Sequence, residues 1–530
     1  MTIHRETEKN FNNPILPGFY PDPSICRVEQ DYYLINSSFA YFPGIPIFHS
    51  KDLVNWRQIG HVLDRGSQLN LDDLRQSEGI FAPTIRYHNG IFYVICTNVG
   101  KEGNFIVTSL HPEGPWSEIH WLHDAPGIDP SLFFDDNGKA YVTGTSEVPE
   151  GGRYSGDNEI WMRELDMENM ALTGPRYGLW RGALKNAVWP EGPHLYKING
   201  VYYLMVAEGG TDYHHSVTIA RSDKLTGPYQ GNPGNPILTH RHLGRHYPIV
   251  NAGHADLVET QNGEWWMVCL GSRPYGGYYR NLGRETFLVP VEWEDGWPVV
   301  SPGTGKIELC YTKPGLPAGE EVILPGRDEF TSSELDFVWN MLRTPREKFW
   351  SLSDRPGYLR LKLRPAKMGD RLNPSFIGRR QQHINFSALT LMEFNPAMEG
   401  EAAGISLIQS NDYNFRFEHT LCGGKKVIRL VRCFGGKETI INSTEFEGGR
   451  IFLKVSAAGQ DYSFYYGSYE NDMKALAENV DGRLLSTDLA GGFVGTYIGM
   501  FAGSNGKASE NCADFDWFDY VGDPKAQPLI

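Results

Sequence analysis

Two polar–apolar rhythms divide the chain. From about Arg327 onward, apolar residues return at alternate positions, as in Tyr358-Leu359-Arg360-Leu361-Lys362-Leu363, Lys426-Val427-Ile428-Arg429-Leu430 and Arg450-Ile451-Phe452-Leu453-Lys454-Val455. That period sends successive side chains to opposite faces of a strand, so these segments predict an antiparallel β-sandwich. Before residue 310 the apolar runs are shorter and aromatic. They centre on Tyr33, Tyr93, Tyr141, Tyr203 and Trp266, spaced by 60, 48, 62 and 63 residues. Asn89-Gly90, Asn137-Gly138, Asn199-Gly200 and Asn262-Gly263 precede four of them. Asn-Gly is the strongest short hairpin signal, because a type I′ turn needs positive φ at both central residues. Strand, tight turn and aromatic strand, repeated five times with a period of about 50–60 residues, predict the blades of a propeller.

Eleven or 12 residues before each aromatic centre stand Asp22, Ala82, Asp129, Glu191 and His254, in the settings YPDPSI, FAPTI, GIDPSL, WPEGPHL and AGHADLV. The first strand of a propeller blade commonly lines the central channel. Five repeat-equivalent residues would then ring one axis, with three acids and a histidine among them. Carboxylates brought together repel and shift one another's pKa, a cost that a functional site repays. One Asp-Pro-Ser can be a turn before a strand; acids at three places of one repeat are harder to explain that way.

Composition narrows the choice of partner. With 530 residues, 59 glycines, 33 prolines and few runs of helical period, the chain reads as all-β with more than one domain. A net charge of -15 argues against nucleic acid or an anionic membrane as partner. The 27 Tyr, 27 Phe and 13 Trp offer stacking surfaces for a neutral ligand as well as core. Seven scattered cysteines without CxxC spacing predict buried free thiols rather than disulfides or a zinc site. The N-terminus MTIHRETEKNFNNP has no apolar signal core and no stretch approaches 18 apolar residues, so a cytoplasmic protein is expected. Lys313-Pro314-Gly315-Leu316-Pro317-Ala318-Gly319 reads as a linker. The expected domains are a propeller over 1–312, a linker over 313–326 and a β-sandwich over 327–530.

Several stretches together resemble glycoside hydrolase family 43: PGFYPDPSI around Asp22, HSKDLVNW from His49, GIDPSLFF around Asp129, WPEGPHLY around Glu191 and LGRETFL around Arg284. WNMLRTPREKFWSLSDRPGYLRL, from Trp339, resembles the lectin-like (concanavalin A-like) sandwich of the two-domain β-xylosidase and α-L-arabinofuranosidase members. The resemblance implies an inverting exo-glycosidase that releases terminal pentose from oligosaccharides. Asp22 would be the general base, Glu191 the general acid, and Asp129 a neighbour that raises the pKa of Glu191. An inverting pair stands roughly 6.5–9.5 Å apart. Arg284 would contact sugar hydroxyls, Phe39 and Phe81 would wall the pocket, and a sandwich loop would close it with Phe493 or Tyr497. His254 would lie beside a structural calcium ion on the axis, held largely through water because calcium takes 6–8 oxygen ligands; the chemistry itself requires no cofactor. Phe81-Ala82-Pro83-Thr84 stands where many β-xylosidases of the family carry Trp-Ala-Pro-His, and this phrasing looks closer to arabinofuranosidases or dual-activity members. An endo-arabinanase and a non-catalytic carbohydrate-binding propeller are the alternatives. A homo-oligomer is compatible with all of these.

Overall fold

The computed structural model describes residues 9–322 and 326–524. Five antiparallel sheets form blades. Blade 1 runs Ser24–Val28, Asp31–Ile35, Gly44–Ser50 and Arg57–Leu63, and blade 2 runs Thr84–His88, Ile91–Val99, Gly103–Ser109 and His120–Trp121. Blade 3 runs Ile128–Phe134, Ala140–Glu147, Asn158–Asp166 and Ala171–Trp180, and blade 4 runs Glu191–Ile198, Val201–Glu208, Ser216–Ser222 and Gln230–Gly231. Blade 5 runs Val250–Glu259, Trp265–Ser272, Glu285–Glu294 and Trp297–Val300. First strands of neighbouring blades pack on one another around the whole circle, blade 5 returning to blade 1. The ring is latched by Asn10–Asn12, which pairs with Cys310–Thr312, and by a bridge from Leu16 to Thr286.

This stacking explains the aromatic runs before residue 310. A blade's second strand is covered on both faces, so Ile91–Val99 is buried along its length and reads as a continuous apolar run. In the sandwich, strand Arg450–Ala458 alternates, with Ile451, Leu453, Val455 and Ala457 inward. One sandwich sheet is ordered Trp350–Ser351, Leu359–Lys362, Cys512–Gly522, Phe386–Glu393, Arg450–Ala458, Asp461–Gly467 and Lys474–Asp481. The facing sheet is ordered Ser375–Arg380, Tyr497–Gly503, Ala402–Ser410, Tyr413–Cys422, Lys425–Phe434 and Lys437–Glu445.

The two halves share a core. Strand Met341–Leu342 pairs with Tyr41–Phe42 of the propeller, and Phe19, Phe39 and Tyr41 pack with Leu342, Phe376, Val494 and Tyr497 in one apolar cluster. The linker lies against the propeller: the Gly315 N–H donates to the Glu264 carboxylate at 3.0 Å and the Gly319 N–H to Asp52 at 2.9 Å. All seven cysteines are free, but not all are buried as expected: Cys310 and Cys422 are exposed at strand ends.

Candidate active site

The axis is built from repeat positions, in a register the spacing does not quite give. Cys26 pairs with Tyr33, Arg86 with Tyr93, Phe133 with Tyr141 and Val258 with Trp266. Asp22, Ala82, Asp129 and His254 each lie four residues before those partners. In blade 4 Tyr196 pairs with Tyr203, so the equivalent position is Gly192, and Glu191 stands one residue earlier. The expectation of three acids at one equivalent position is therefore corrected: two acids share it and the third is offset. The hairpin turns cause the difference, since blades 3 and 5 carry a five-residue turn where blades 1, 2 and 4 carry two residues. Backbone conformation marks the true repeat. Asp22 (φ 53°), Asp129 (φ 53°), Gly192 (φ 56°) and His254 (φ 42°) are all left-handed. Only glycine suits position 192, because a Cβ there would lie 2.8 Å from Cε1 of His254.

Two residues further along each first strand lies a second layer: Ser24, Thr84, Ser131, His194 and Asp256. Asp256 is fully buried and accepts from Ser24 Oγ at 2.8 Å, Arg86 Nη1 at 2.8 Å and the Tyr196 hydroxyl at 2.7 Å. Burial alone would raise its pKa, but Arg86, His194 and Tyr196 hold it well below the usual carboxylate range. This ion-paired floor joins blades 1, 2, 4 and 5 and closes the channel beneath the acids.

Above the floor a cavity of about 530 Å³ is lined by Asp22, Ala82, Asp129, Glu191 and His254 together with Arg284. Pro21 and Pro23 bracket Asp22, and Asn36 Nδ2 donates to the carbonyls of Tyr20 and Pro21 at 3.1 and 2.9 Å, so its backbone is held. The Asp22 carboxylate accepts from Arg284 Nη1 at 2.6 Å and from the Ser37 hydroxyl at 2.6 Å. Burial, followed by the charge of Asp22, pushes Glu191 up to about 7, while Arg284 pulls it down. Burial, then Glu191 and Asp22, raises Asp129 well above the usual carboxylate range, against Arg284 and a hydrogen bond from the Gly192 N–H. Burial is the leading cause for both groups, and the repulsion between Glu191 and Asp129 belongs to the pair and favours keeping a proton on it. Glu191 and Asp129 are thus held above the ordinary carboxylate range beside the Asp22–Arg284 ion pair, so a proton donor and an ion-paired carboxylate share one cavity.

The walls combine both domains. Phe39 and Phe81 line the cavity with ring centroids 5.0 Å apart, and the Arg284 guanidinium lies 5.4 Å from the Phe39 centroid. Phe493 arrives from the sandwich, 6.3 Å from Phe39 and 6.1 Å from Phe81, with its N–H donating to Ser77 Oγ at 2.8 Å. Tyr497 does not line the cavity. It is fully buried in strand Tyr497–Gly503 and stacks on Tyr41 at 3.8 Å, so of the two candidates Phe493 is the one that reaches the pocket. Trp189, Thr211 and Arg280 also line the cavity and went unassigned in the sequence. Thr211 accepts from Arg284 Nη1 at 3.2 Å, and Arg280 is clamped by Asp488 of the sandwich at 2.8 Å. Trp189 could have been flagged by its place two residues before Glu191. His254 is buried with its pKa lowered by burial and by Arg284, against Asp22. It offers one imidazole nitrogen, and among the described residues no group of three or more His, Cys, Asp or Glu is placed to hold a metal. A calcium ion beside His254 would take most of its oxygen ligands from water.

The model of glycosyl hydrolases family 43 matches residues 11–298, and that of the beta xylosidase C-terminal Concanavalin A-like domain matches 327–521. The chain is 48% identical to a xylosidase/arabinosidase of Butyrivibrio fibrisolvens, over 96% of this chain and 98% of the relative. It is 40% identical to a non-reducing end alpha-L-arabinofuranosidase of Bacteroides ovatus, over 97% of this chain and 95% of that one. The crystal structure of a xylan beta-1,4-xylosidase from Bacillus halodurans superposes with a TM-score of 0.91 at 35% identity, covering 96% of this chain and 99% of that one. A five-bladed propeller with three carboxyl groups on its axis, sealed by a concanavalin A-like sandwich, places this chain in glycosyl hydrolases family 43 as a glycosidase.

Proposed function

We propose that the enzyme removes terminal pentose, as α-L-arabinofuranose, β-D-xylose or both, from the non-reducing ends of xylan- or arabinan-derived oligosaccharides. The observation that carries this reading is the buried Glu191, its pKa raised to about 7, sharing one cavity with the Asp22–Arg284 pair, closed on one side by Phe493. Glu191 protonates the leaving oxygen. Asp22 deprotonates a water that attacks the opposite face of the sugar, so the product anomer is inverted. Asp129 accepts the Gly192 N–H and holds the blade 4 backbone beside Glu191. Arg284 fixes Asp22 and presents its guanidinium to the sugar hydroxyls. Phe39, Phe81 and Phe493 exclude water from one face. The enclosed wall supports chain-end attack over an endo-acting groove. Xylosidase and arabinofuranosidase names among the relatives support the pentose, and a small pocket with hydroxyl-binding polar groups suits either sugar. Seven unpaired cysteines suit a reducing compartment and short oligosaccharides as substrates. Among the described residues no helix is long and apolar enough to cross a membrane.

Aryl α-L-arabinofuranoside and aryl β-D-xyloside, with the product anomer followed by NMR, test this reading. Hydrolysis with inversion, lost in Asp22→Asn and in Glu191→Gln, is expected. Retention of configuration, or cleavage of internal linkages of debranched arabinan in preference to either aryl glycoside, refutes it.

A further inference from the structure

The cavity has one aromatic wall that the reaction above leaves unused. Trp189 lines it from the segment joining blades 3 and 4, two residues before Glu191, whereas Phe39, Phe81 and Phe493 cluster with one another from blades 1 and 2 and the sandwich. Its surface is 43% exposed, whereas Phe39, which also lines the cavity, is 1% exposed. Its backbone is left-handed, with φ 47°. For a bulky residue that conformation is an outlier, and it persists only where surrounding contacts impose it.

Those contacts are present. The Trp189 N–H donates to the Gly156 carbonyl at 2.7 Å, and the Gly209 N–H donates to the Val188 carbonyl at 2.8 Å. The indole rests on two glycines. A Cβ on Gly156 would lie 2.9 Å from Nε1 and Cε2, and one on Gly210 would lie 2.8 Å from Cε3. The loop leading to it is pinned by Glu208, which accepts from the Ala183 N–H at 2.8 Å and from the Trp180 indole at 3.2 Å, and by the Tyr154 hydroxyl on the Ala187 carbonyl at 2.9 Å. A large aromatic is thus fixed in a strained conformation, supported from beneath, and left open toward the cavity.

The chemistry says what sits there. Asp22, Arg284, Phe39, Phe81 and Phe493 enclose the released sugar, so the rest of the substrate must leave past blades 3 and 4, where Glu191 meets the leaving oxygen. We propose that Trp189 is the stacking platform for the neutral sugar ring on the leaving side of the scissile bond, so that the enzyme is adapted to oligosaccharides over simple pentosides. The assignment rests on the pentosidase reading above.

The test compares a pentose-terminated di- or trisaccharide with the methyl glycoside of the same pentose, which has no second ring. Trp189→Ala is expected to raise KM for the oligosaccharide about tenfold, the equivalent of one lost stacking contact. The loss is expected to be several-fold smaller for the methyl glycoside and for inhibition by the free pentose, neither of which has a second ring. Trp189→Phe should restore most of the oligosaccharide KM, and it reports on the platform even if the alanine variant folds poorly. An equal loss on both substrates makes Trp189 a merely structural prop and overturns the proposal, as does an unchanged oligosaccharide KM in folded Trp189→Ala. Wild-type enzyme inert on every pentoside would instead remove the pentosidase reading, and this assignment with it.

Discussion

Burial and then the nearby charge of Asp22 raise Glu191 to about 7, so it keeps a proton well above the ordinary carboxylate range, and two predictions come from that shift. Its group must donate a proton, so kcat/KM should fall as pH rises through about 7. Stability follows with the same sign. The folded-state pKa of about 7 lies above the reference value of 4.5, so over that interval the native state holds a proton that the unfolded chain releases. Stability is greatest below 4.5 with respect to this group and is lost as pH rises toward 7. Glu191→Gln removes the ionisation and should reduce kcat by roughly 10²–10⁴-fold. The same variant should melt higher than wild type at pH 8, by roughly 2–4 °C, with little difference at pH 5. A pH–rate profile and melting curves at the two pH values check both. Equal melting shifts at pH 5 and pH 8 would show that the proton is not the cause.

Among elements, the sandwich loop after helix Thr487–Ala490 has the most exacting geometry. Ser486 caps the helix N-terminus by accepting from Leu489, and Asp488 clamps Arg280, so the loop leaves from a fixed point. Gly492 then turns with φ 76° and passes so close to Ser77 that a Cβ would lie 2.2 Å from its Oγ. Gly492→Ala should push Phe493 off Phe39 and Phe81 without unfolding either sheet. The expected result is a KM for aryl pentoside raised about tenfold, with a melting temperature within a few degrees of wild type; an unchanged KM refutes the closing role. Phe493 was legible as a pocket candidate from its stretch of sequence, but nothing local separated it from Tyr497. The difference is tertiary, since Tyr497 stacks on Tyr41, a residue of the other domain. The blades themselves were legible from Asn-Gly turns and aromatic runs. The offset of Glu191 was not, because turn length is invisible to a count made from strand centres. Trp189 was hidden for a similar reason: its support comes from Gly156 and Gly210, residues of two separate loops.

At the scale of the whole molecule the two domains should melt as one. Arg343 lies fully buried where they meet, in a left-handed conformation of φ 61°. Its Nε donates to the Leu74 carbonyl at 2.7 Å, its Nη1 to the Leu372 carbonyl at 2.9 Å and its Nη2 to Asn411 Oδ1 at 2.7 Å. Burial pulls its pKa down to about 10, which leaves it charged at any working pH. The neighbouring Thr344 hydroxyl donates to the Leu69 carbonyl at 2.6 Å, and Arg380 reaches back to the Phe19 carbonyl at 2.7 Å. Arginine suits such a joint because its planar fork serves acceptors from several directions, which an ammonium group on a lysine stem cannot do at once. Arg343→Ala leaves two buried acceptors, the Leu74 carbonyl and Asn411 Oδ1, without this donor, each costing about 1–3 kcal/mol where no water replaces it. Arg343→Lys should be intermediate. Since Leu74 belongs to the propeller while Leu372 and Asn411 belong to the sandwich, the loss falls on both. Calorimetry should show one transition moving down for the whole chain, with heat inactivation of glycosidase activity moving in parallel. A split into two transitions, with activity following only the first, would mean that the sandwich folds without the propeller and that the shared core is not cooperative.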